Sequence, residues 1–362
     1  MAAPRILLAG GGSAGHVSPL LATADRIREQ EPAAEVIVLG TADGLETDLV
    51  PAAGYELVTI EKVPFPRRPN GTALRFPGRF AGTLRAVRSL LDERRIGAVA
   101  GYGGYVCPPA YLTAARARIP YVVHEANMRP GMANRLGARR AHAVLTAFDG
   151  IPLPGARRIG MPMRAGISDL DRTARRSEAV RGFGLDPERP VLLVSGGSLG
   201  AQRLNEAIAA SAQAFTDAGA QILHVTGRGK SDGLTEHEGY RIVDYVRAME
   251  DAYAAADLAL TRSGAGTVSE LTAVGLPAVL VPLPVGNGEQ ALNGRAVVAA
   301  GGALMVPDEE ISAQQLTEQV LPLLTDTDRL TAMATSARTF GITDAAEVMA
   351  GIVLDAARPA LR

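Results

Sequence analysis

The chain has 362 residues, 47% hydrophobic and 21% charged, with a formal net charge of −1. That is enough apolar material for two domains of ordinary size with real cores, and it excludes a disordered chain. The single cysteine, Cys107, excludes an internal disulfide framework and cysteine-only metal sites and fits a reducing compartment.

The start, MAAPRILLAG, lacks the charged n-region and long apolar stretch of a signal peptide. No run approaches the ~18 apolar residues that a membrane span needs. From there strand-like and helix-like runs alternate. RILLAG enters the glycine loop GGGSAGH (10–16), and the helical pattern PLLATADRIREQ follows. AEVIVLG, IGAVAGYG and PYVVHE read as further buried strands of the first half. PVLLVSGG, AQILHVTG, DLALTRSG and PAVLVPL do the same in the second half, where AQRLNEAIAASAQAF has apolar residues at helical spacing. This is the βα alternation of an α/β protein.

One internal echo organises the chain. ILLAGGGSAG (6–15) and VLLVSGGSLG (191–200) each read as a strand, a Gly-Gly-Ser turn and a helix start. The simplest account is two Rossmann-like domains with parallel sheets, each opening with the same unit. The joint falls near GARRIGMPMRAG (155–166). The expected division is 1–162, joined by a C-terminal helix at 341–362, and 163–340. Ligands of such domains bind beyond the carboxyl ends of the strands.

Charge differs between the halves. Residues 1–163 carry 20 Lys+Arg against 13 Asp+Glu, a balance of +7, and residues 164–362 carry 17 against 25, or −8. A basic half on a near-neutral protein points to an anionic partner for that half.

Either glycine loop can hold a diphosphate, because glycine lets the backbone approach closely and the next helix offers free N–H groups. A glycine that merely fits a tight βα turn is the plainer reading. GGGSAG also matches the dinucleotide pattern GxGxxG. That reading wants an acidic residue at the end of the second strand, where this chain has Gly40 and Thr41, with Glu35 before the strand and Asp43 after it. In the second half, TRSGAG leads into a helix with Thr267, Ser269 and Glu270 in its first turns. A carboxylate there can accept two hydrogen bonds from a ribose diol, or it can simply cap the helix. Glu289, Gln290 and Asn293 enter another helix from a Gly/Pro-rich loop, and amides suit sugar hydroxyls. The five histidines show no HxH or HxxxH pair, and no DxD-like acidic pair stands near the loops.

Eight stretches in order resemble the MurG family of UDP-N-acetylglucosamine transferases of peptidoglycan synthesis. They are GGGSAGHVSP (10–19), LGTADGLETDLVP (39–51), GYGGYVCPP (101–109), HEAN (124–127), GMPMR (160–164), GGSLGAQRLN (196–205), RSGAGTVSEL (262–271) and EQALN (289–293). The resemblance covers essentially the whole chain. It implies the GT-B fold, two Rossmann-like domains facing a central cleft. It implies inverting transfer of GlcNAc from UDP-GlcNAc to the 4-hydroxyl of undecaprenyl-pyrophosphoryl-MurNAc-pentapeptide, giving a β-1,4 link.

The resemblance also carries residue roles. Ser198 and its loop would meet the donor diphosphate beside Arg164. Ala265, Gly266, Thr267, Val268, Ser269 and Glu270 would line the nucleotide, with Glu270 on the ribose. Val246 stands at the uracil contact, Gln290 and Asn293 at the sugar, and Asn127 on the other side of the cleft. Ser13, Ala14 and Gly15 would border donor and acceptor alike. Gly11, Gly12, Gly103, Gly104 and Tyr105 would cradle the acceptor pyrophosphate. Three positions depart from the family pattern: Leu199 replaces a glutamine, Met161 an asparagine, and Glu289 a glutamine of some relatives.

Inversion needs one displacement and a base for the acceptor hydroxyl. His16 is the candidate, since imidazole is the side chain suited to take a proton at neutral pH and this one opens a helix; hydrogen bonding to a pyrophosphate or capping the turn is its plainer role. Glu125 is the alternative base, and His124 is read as structural. No metal is expected to be required, although Mg²⁺ on the diphosphate is compatible with the reading. Residues 65–95 hold eight arginines against Asp92 and Glu93. Phe80, Leu84, Val87 and Leu91 recur there at helical spacing, a stripe that suits a core. Arg67, Arg68, Leu74, Arg75, Phe76 and Arg79, with Leu74 and Phe76 in a loop before that helix, suit an anionic lipid surface. The expectation is peripheral attachment to the cytoplasmic face of the membrane through anionic inner-leaflet lipids. No nucleic-acid partner is expected, because no array of stacking aromatics accompanies the bases. The competing readings are a GT-B transferase with a soluble acceptor, a UDP-GlcNAc 2-epimerase, a nicotinamide oxidoreductase and a non-catalytic binding protein.

Overall fold

The computed structural model describes residues 3–66, 71–197, 201–285 and 287–358. The chain forms two compact units: residues 1–164 with 344–362, and residues 165–343.

The first unit runs β1 (Arg5–Ala9), α1 (Ala14–Gln30), β2 (Glu35–Gly40), α2 (Glu46–Ala52), β3 (Glu56–Thr59), α3 (Gly71–Glu93), β4 (Ala98–Gly101), α4 (Cys107–Ala117), β5 (Tyr121–Glu125), α5 (Met132–Gly137), β6 (Ala143–Thr146) and β7 (Ala156–Arg158). The second runs α6 (Ala165–Ser168), α7 (Arg172–Gly182), β8 (Val191–Ser195), α8 (Gln202–Asp217), β9 (Gln221–Val225), β10 (Tyr240–Val243), α9 (Met249–Ala255), β11 (Leu258–Thr261), α10 (Ala265–Val274), β12 (Ala278–Leu280), α11 (Glu289–Asn293), α12 (Arg295–Ala299), β13 (Ala303–Met305), α13 (Ala313–Gln315), α14 (Leu321–Leu324) and α15 (Thr327–Arg338). The last helix, α16 (Ala345–Ala357), belongs to the first unit.

Both sheets are parallel. Their orders are β3-β2-β1-β4-β5-β6-β7 and β10-β9-β8-β11-β12-β13. Read from the edge, each begins with the Rossmann order 3-2-1-4-5-6. The strands are apolar on both faces because helices cover both: Ile6 to Ala9 of β1 are fully buried, and every residue of β5 is buried. Leu20, Ala24 and Ile27 of α1 pack with Met349, Val353 and Leu354 of α16, which is how the C-terminal segment completes the first core. In each sheet the winding reverses once, between β1 and β4 and between β8 and β11. The loops after those four strands are where such folds bind ligands.

Leu74 and Phe76 do not lie in a loop: α3 starts at Gly71 and includes both, with Pro77 inside it. Phe65, Phe76 and Phe80 cluster with ring centroids 5.1 to 5.9 Å apart, and that packing supports the helix across the proline. Farther along, Val87, Leu90 and Leu91 enter the core while Phe80 and Leu84 are half-buried. Leu74 is 88% exposed. Arg67 and Arg68 lie outside the described residues.

Candidate functional site

In the first unit the site is built by two interlocked loops. The loop after β1 runs through Gly11 and Gly12 to Ser13, which precedes α1 in extended conformation and makes no side-chain cap. The α1 N-terminus therefore has no side chain of its own covering it, and its first turn contains no acidic residue. The loop after β4 holds Gly103 and Gly104 at φ of +115° and +87°. A Cβ on Gly103 would stand 2.7 Å from Nε2 of His16, and one on Gly104 would stand 2.7 Å from the Gly11 carbonyl oxygen. Both positions thus need glycine twice over, for conformation and for space. Cys107 pins the second loop from beneath: Gly103 N–H donates to Sγ at 3.2 Å, and Sγ lies 3.0 Å from the Gly103 carbonyl. Burial pushes this thiol up to about 11, so it stays protonated.

His16 is half-buried in the first turn of α1. Its Nδ1 lies 3.0 Å from the Gly11 carbonyl and 3.3 Å from Ser13 Oγ. A carbonyl can only accept, so in the neutral ring Nδ1 carries the hydrogen and Nε2 presents a lone pair. Tyr105 is 44% exposed at the second loop, with the Lys62 ammonium 5.6 Å from its ring centre. Gly12, Ser13 and Gly15 are exposed and Ala14 half-buried, whereas Gly11 is buried.

Glu125 is not placed as a free base. It is 3% exposed, and its oxygens accept from Asn127 N–H (2.9 Å), Gly131 N–H and Asn134 Nδ2 (3.0 Å each). These bonds shape the loop that carries half-buried Asn127. His124 is fully buried, with Nε2 2.9 Å from the Gly160 carbonyl, and burial lowers it to about 4. It is a neutral structural group.

In the second unit the matching loops follow β8 and β11. Ser198 and Leu199 lie outside the described residues. After β11, Arg262 turns inward to Asp308 at 2.6 Å, and Gly264 precedes α10 with no side-chain cap. The 10-residue α10 thereby offers uncapped N–H groups. Of its first six residues, Ala265, Val268 and Ser269 are buried, and Gly266, Thr267 and Glu270 are half-exposed. Glu270 is oriented by the Tyr253 hydroxyl, which donates to Oε2 at 2.7 Å. Gln290 Oε1 accepts from Leu283 N–H at 3.0 Å. Asn293 is 2% exposed and its Nδ2 donates to the Ser263 carbonyl at 3.4 Å. Both amides frame the loop beside α10, and Asn293 does so from below the surface. Val246 is half-buried just past β10, and Arg164 is exposed at the end of the first unit's main segment.

The sequence reading passed over Glu46, Cys107, Tyr253 and the Arg262–Asp308 pair as site-forming groups. Glu46 did leave a signal, since it opens α2 with Gly40 and Gly44 close by. Among the described residues, no group of three or more His, Cys, Asp or Glu side chains could hold a metal ion.

Residues 6–146 match the glycosyltransferase family 28 N-terminal domain, and residues 191–349 match the glycosyltransferase family 28 C-terminal domain. A protein of Paenarthrobacter aurescens named UDP-N-acetylglucosamine–N-acetylmuramyl-(pentapeptide) pyrophosphoryl-undecaprenol N-acetylglucosamine transferase is 54% identical over 356 residues, 97% of this chain and 96% of its own length. A protein of the same name from Leifsonia xyli is 52% identical over 349 residues, 96% of this chain and 97% of its own. The crystal structure of MurG from Acinetobacter baumannii superposes with a TM-score of 0.79 at 24% identity, covering 97% of this chain and 99% of that one. The shared architecture is GT-B, two Rossmann-like units with parallel sheets.

Proposed function

The chain belongs to the MurG family of glycosyltransferases, and from that premise we propose how its residues divide the work. The reaction is inverting transfer of GlcNAc from UDP-GlcNAc to the 4-hydroxyl of the lipid-linked MurNAc-pentapeptide, and the enzyme is a UDP-GlcNAc-dependent N-acetylglucosaminyltransferase.

The second unit takes the donor. The uncapped α10 N-terminus and the Ser198 loop oppose the charge that builds on the departing diphosphate. Glu270, held by Tyr253, receives the ribose hydroxyls. Val246 borders the base, and Gln290 and Asn293 fix the loop that meets the sugar. These groups can carry the diphosphate without a resident metal, and Mg²⁺ arriving on the diphosphate is compatible with them.

The first unit takes the acceptor. The loops at Gly11–Gly15 and Gly103–Tyr105 receive its pyrophosphate, and Asn127 borders the same side. His16 is the base. The observation that carries this reading is the Nδ1 contact to the Gly11 carbonyl, which leaves Nε2 as the acceptor of a proton. As the 4-hydroxyl attacks the anomeric carbon, its proton passes to Nε2 and UDP departs from the opposite face.

The same unit attaches peripherally to the cytoplasmic face of the membrane. Exposed Leu74, the Phe65/Phe76/Phe80 cluster and the arginines at 67, 68, 75 and 79 suit an anionic leaflet rather than a nucleic acid. No helix among the described residues is long and apolar enough to cross a membrane.

UDP release, measured with and without undecaprenyl-pyrophosphoryl-MurNAc-pentapeptide in detergent, tests the reading. Release that requires the lipid and yields a lipid-linked disaccharide is expected. Conversion of UDP-GlcNAc alone would move the assignment to an epimerase.

A further inference from the structure

The turn between β2 and α2 buries a charge that the transfer reading leaves unused. Glu46 is 0% exposed. Its Oε2 accepts the Gly12 N–H at 2.8 Å, and its Oε1 accepts both the N–H and the hydroxyl of Thr41 at 2.8 Å each. Burial works against its ionisation, yet the bonds from Gly12, from Thr41 and from its own backbone N–H outweigh burial and hold the carboxyl below the usual range. The chain makes room for it: a Cβ on Gly11, Gly40 or Gly44 would lie within 2.6 Å of its side chain.

The Gly12 N–H and the Gly11 C=O are the two ends of one peptide group. One end donates to Glu46 and the other accepts from His16 Nδ1 at 3.0 Å. We propose that Glu46 is a positioning residue that acts on His16 through the Gly11–Gly12 peptide, fixing the ring's tautomer and aim for proton transfer. A peptide that donates to an anion becomes a better acceptor at its oxygen, by about 10–30% per bond. The buried carboxylate thus strengthens the Nδ1–H bond without touching the ring. It also stops the loop from rotating Gly11 away. Ser13, just ahead of the helix, and Gly103, backed by the protonated Cys107 thiol, also face His16. Glu46 reaches the ring through the Gly11–Gly12 peptide. Glutamine cannot replace it, because one amide oxygen serves either Gly12 or Thr41 and the NH₂ then faces a second N–H donor.

This inference rests on His16 being the base, and the experiment separates the two. The full chain is labelled with ¹⁵N-histidine, and the His16 tautomer is read by NMR in wild type and Glu46→Gln. Turnover with the lipid acceptor is measured for Glu46→Gln, His16→Ala and the double variant. The expected results are an Nδ1–H tautomer in wild type, a mixed tautomer in Glu46→Gln, and a kcat about tenfold lower with KM for UDP-GlcNAc unchanged. In the His16→Ala background Glu46→Gln should cost nothing further. An Nε2–H tautomer in wild type overturns the inference, and so does an undiminished Glu46→Gln penalty in the absence of His16. Wild-type turnover by His16→Ala defeats the base assignment instead, with the tautomer shift still readable. If Glu46→Gln does not fold, Glu46→Asp keeps the charge but withdraws it from Gly12, and the same shift and loss are expected.

Discussion

Gly103→Ala tests the interlocked loops. The new Cβ would stand 2.7 Å from His16 Nε2, whereas ordinary contact begins at 3.4 Å. The ring or the loop must therefore retreat by about 0.7 Å, and misplacing a reacting group by about 1 Å costs on the order of 10²-fold in rate. The backbone adds its own penalty. At φ +115° an L side chain is strained by roughly 1–3 kcal/mol. For a unit of this size that is a fall in Tm of roughly 2–12 °C. Gly15→Ala is the matched control, because its Cβ would meet only Ser13 Oγ, at 3.9 Å, within a helix. The assays are calorimetric Tm and acceptor-dependent UDP release. Gly103→Ala should lose about ten- to a hundredfold in kcat and melt early, while Gly15→Ala keeps its Tm. If the two variants behave alike in both assays, the argument from loop packing is refuted.

Other outcomes follow from the same structure. Cys107 is buried and raised to about 11, so the native protein at pH 8 should resist iodoacetamide and the urea-unfolded chain should react stoichiometrically; rapid native alkylation would contradict its place beneath Gly103. His124 and His224 are both lowered to about 4 by burial, against about 6.5 in an unfolded chain. The unfolded state binds the extra protons, so stability is intact above about pH 6.5 and falls as pH drops toward 4, by on the order of 3 kcal/mol for each histidine. His224→Gln should flatten that acid limb in urea titrations, and an unchanged slope would count against a neutral buried ring. Leu74→Glu should weaken co-sedimentation with anionic vesicles several-fold without altering turnover on a detergent-solubilised acceptor. Equal binding by both proteins would remove Leu74 from the membrane face.

Much of the fold is legible in the sequence where chemistry is local. RILLA, EVIVLG, YVVHE and VLLVS announce themselves because strands covered on both faces are continuously apolar. The strands ELVT, ARR and YRIV are short and partly exposed, so nothing in their composition separates them from loops. The glycine loops are legible as turns between strand and helix, and the interlocking that forces glycine at Gly103 and Gly104 is not, since it arises from contacts about ninety residues apart. Polar residues were hardest. Glu46, Glu125 and Asn293 look alike in a list of hydrophilic side chains, yet all three are buried and each hydrogen-bonds to backbone. Burial of a polar group becomes visible only when its partners converge in space.

The most direct test is steady-state kinetics of His16→Ala with both substrates varied. The proposed division of work predicts that kcat falls by about 10²-fold or more, while KM for UDP-GlcNAc, assigned there to the other unit, stays within about twofold. Wild-type kcat in His16→Ala would contradict it, and the Nε2 lone pair between the two glycine loops would then have no part in the chemistry.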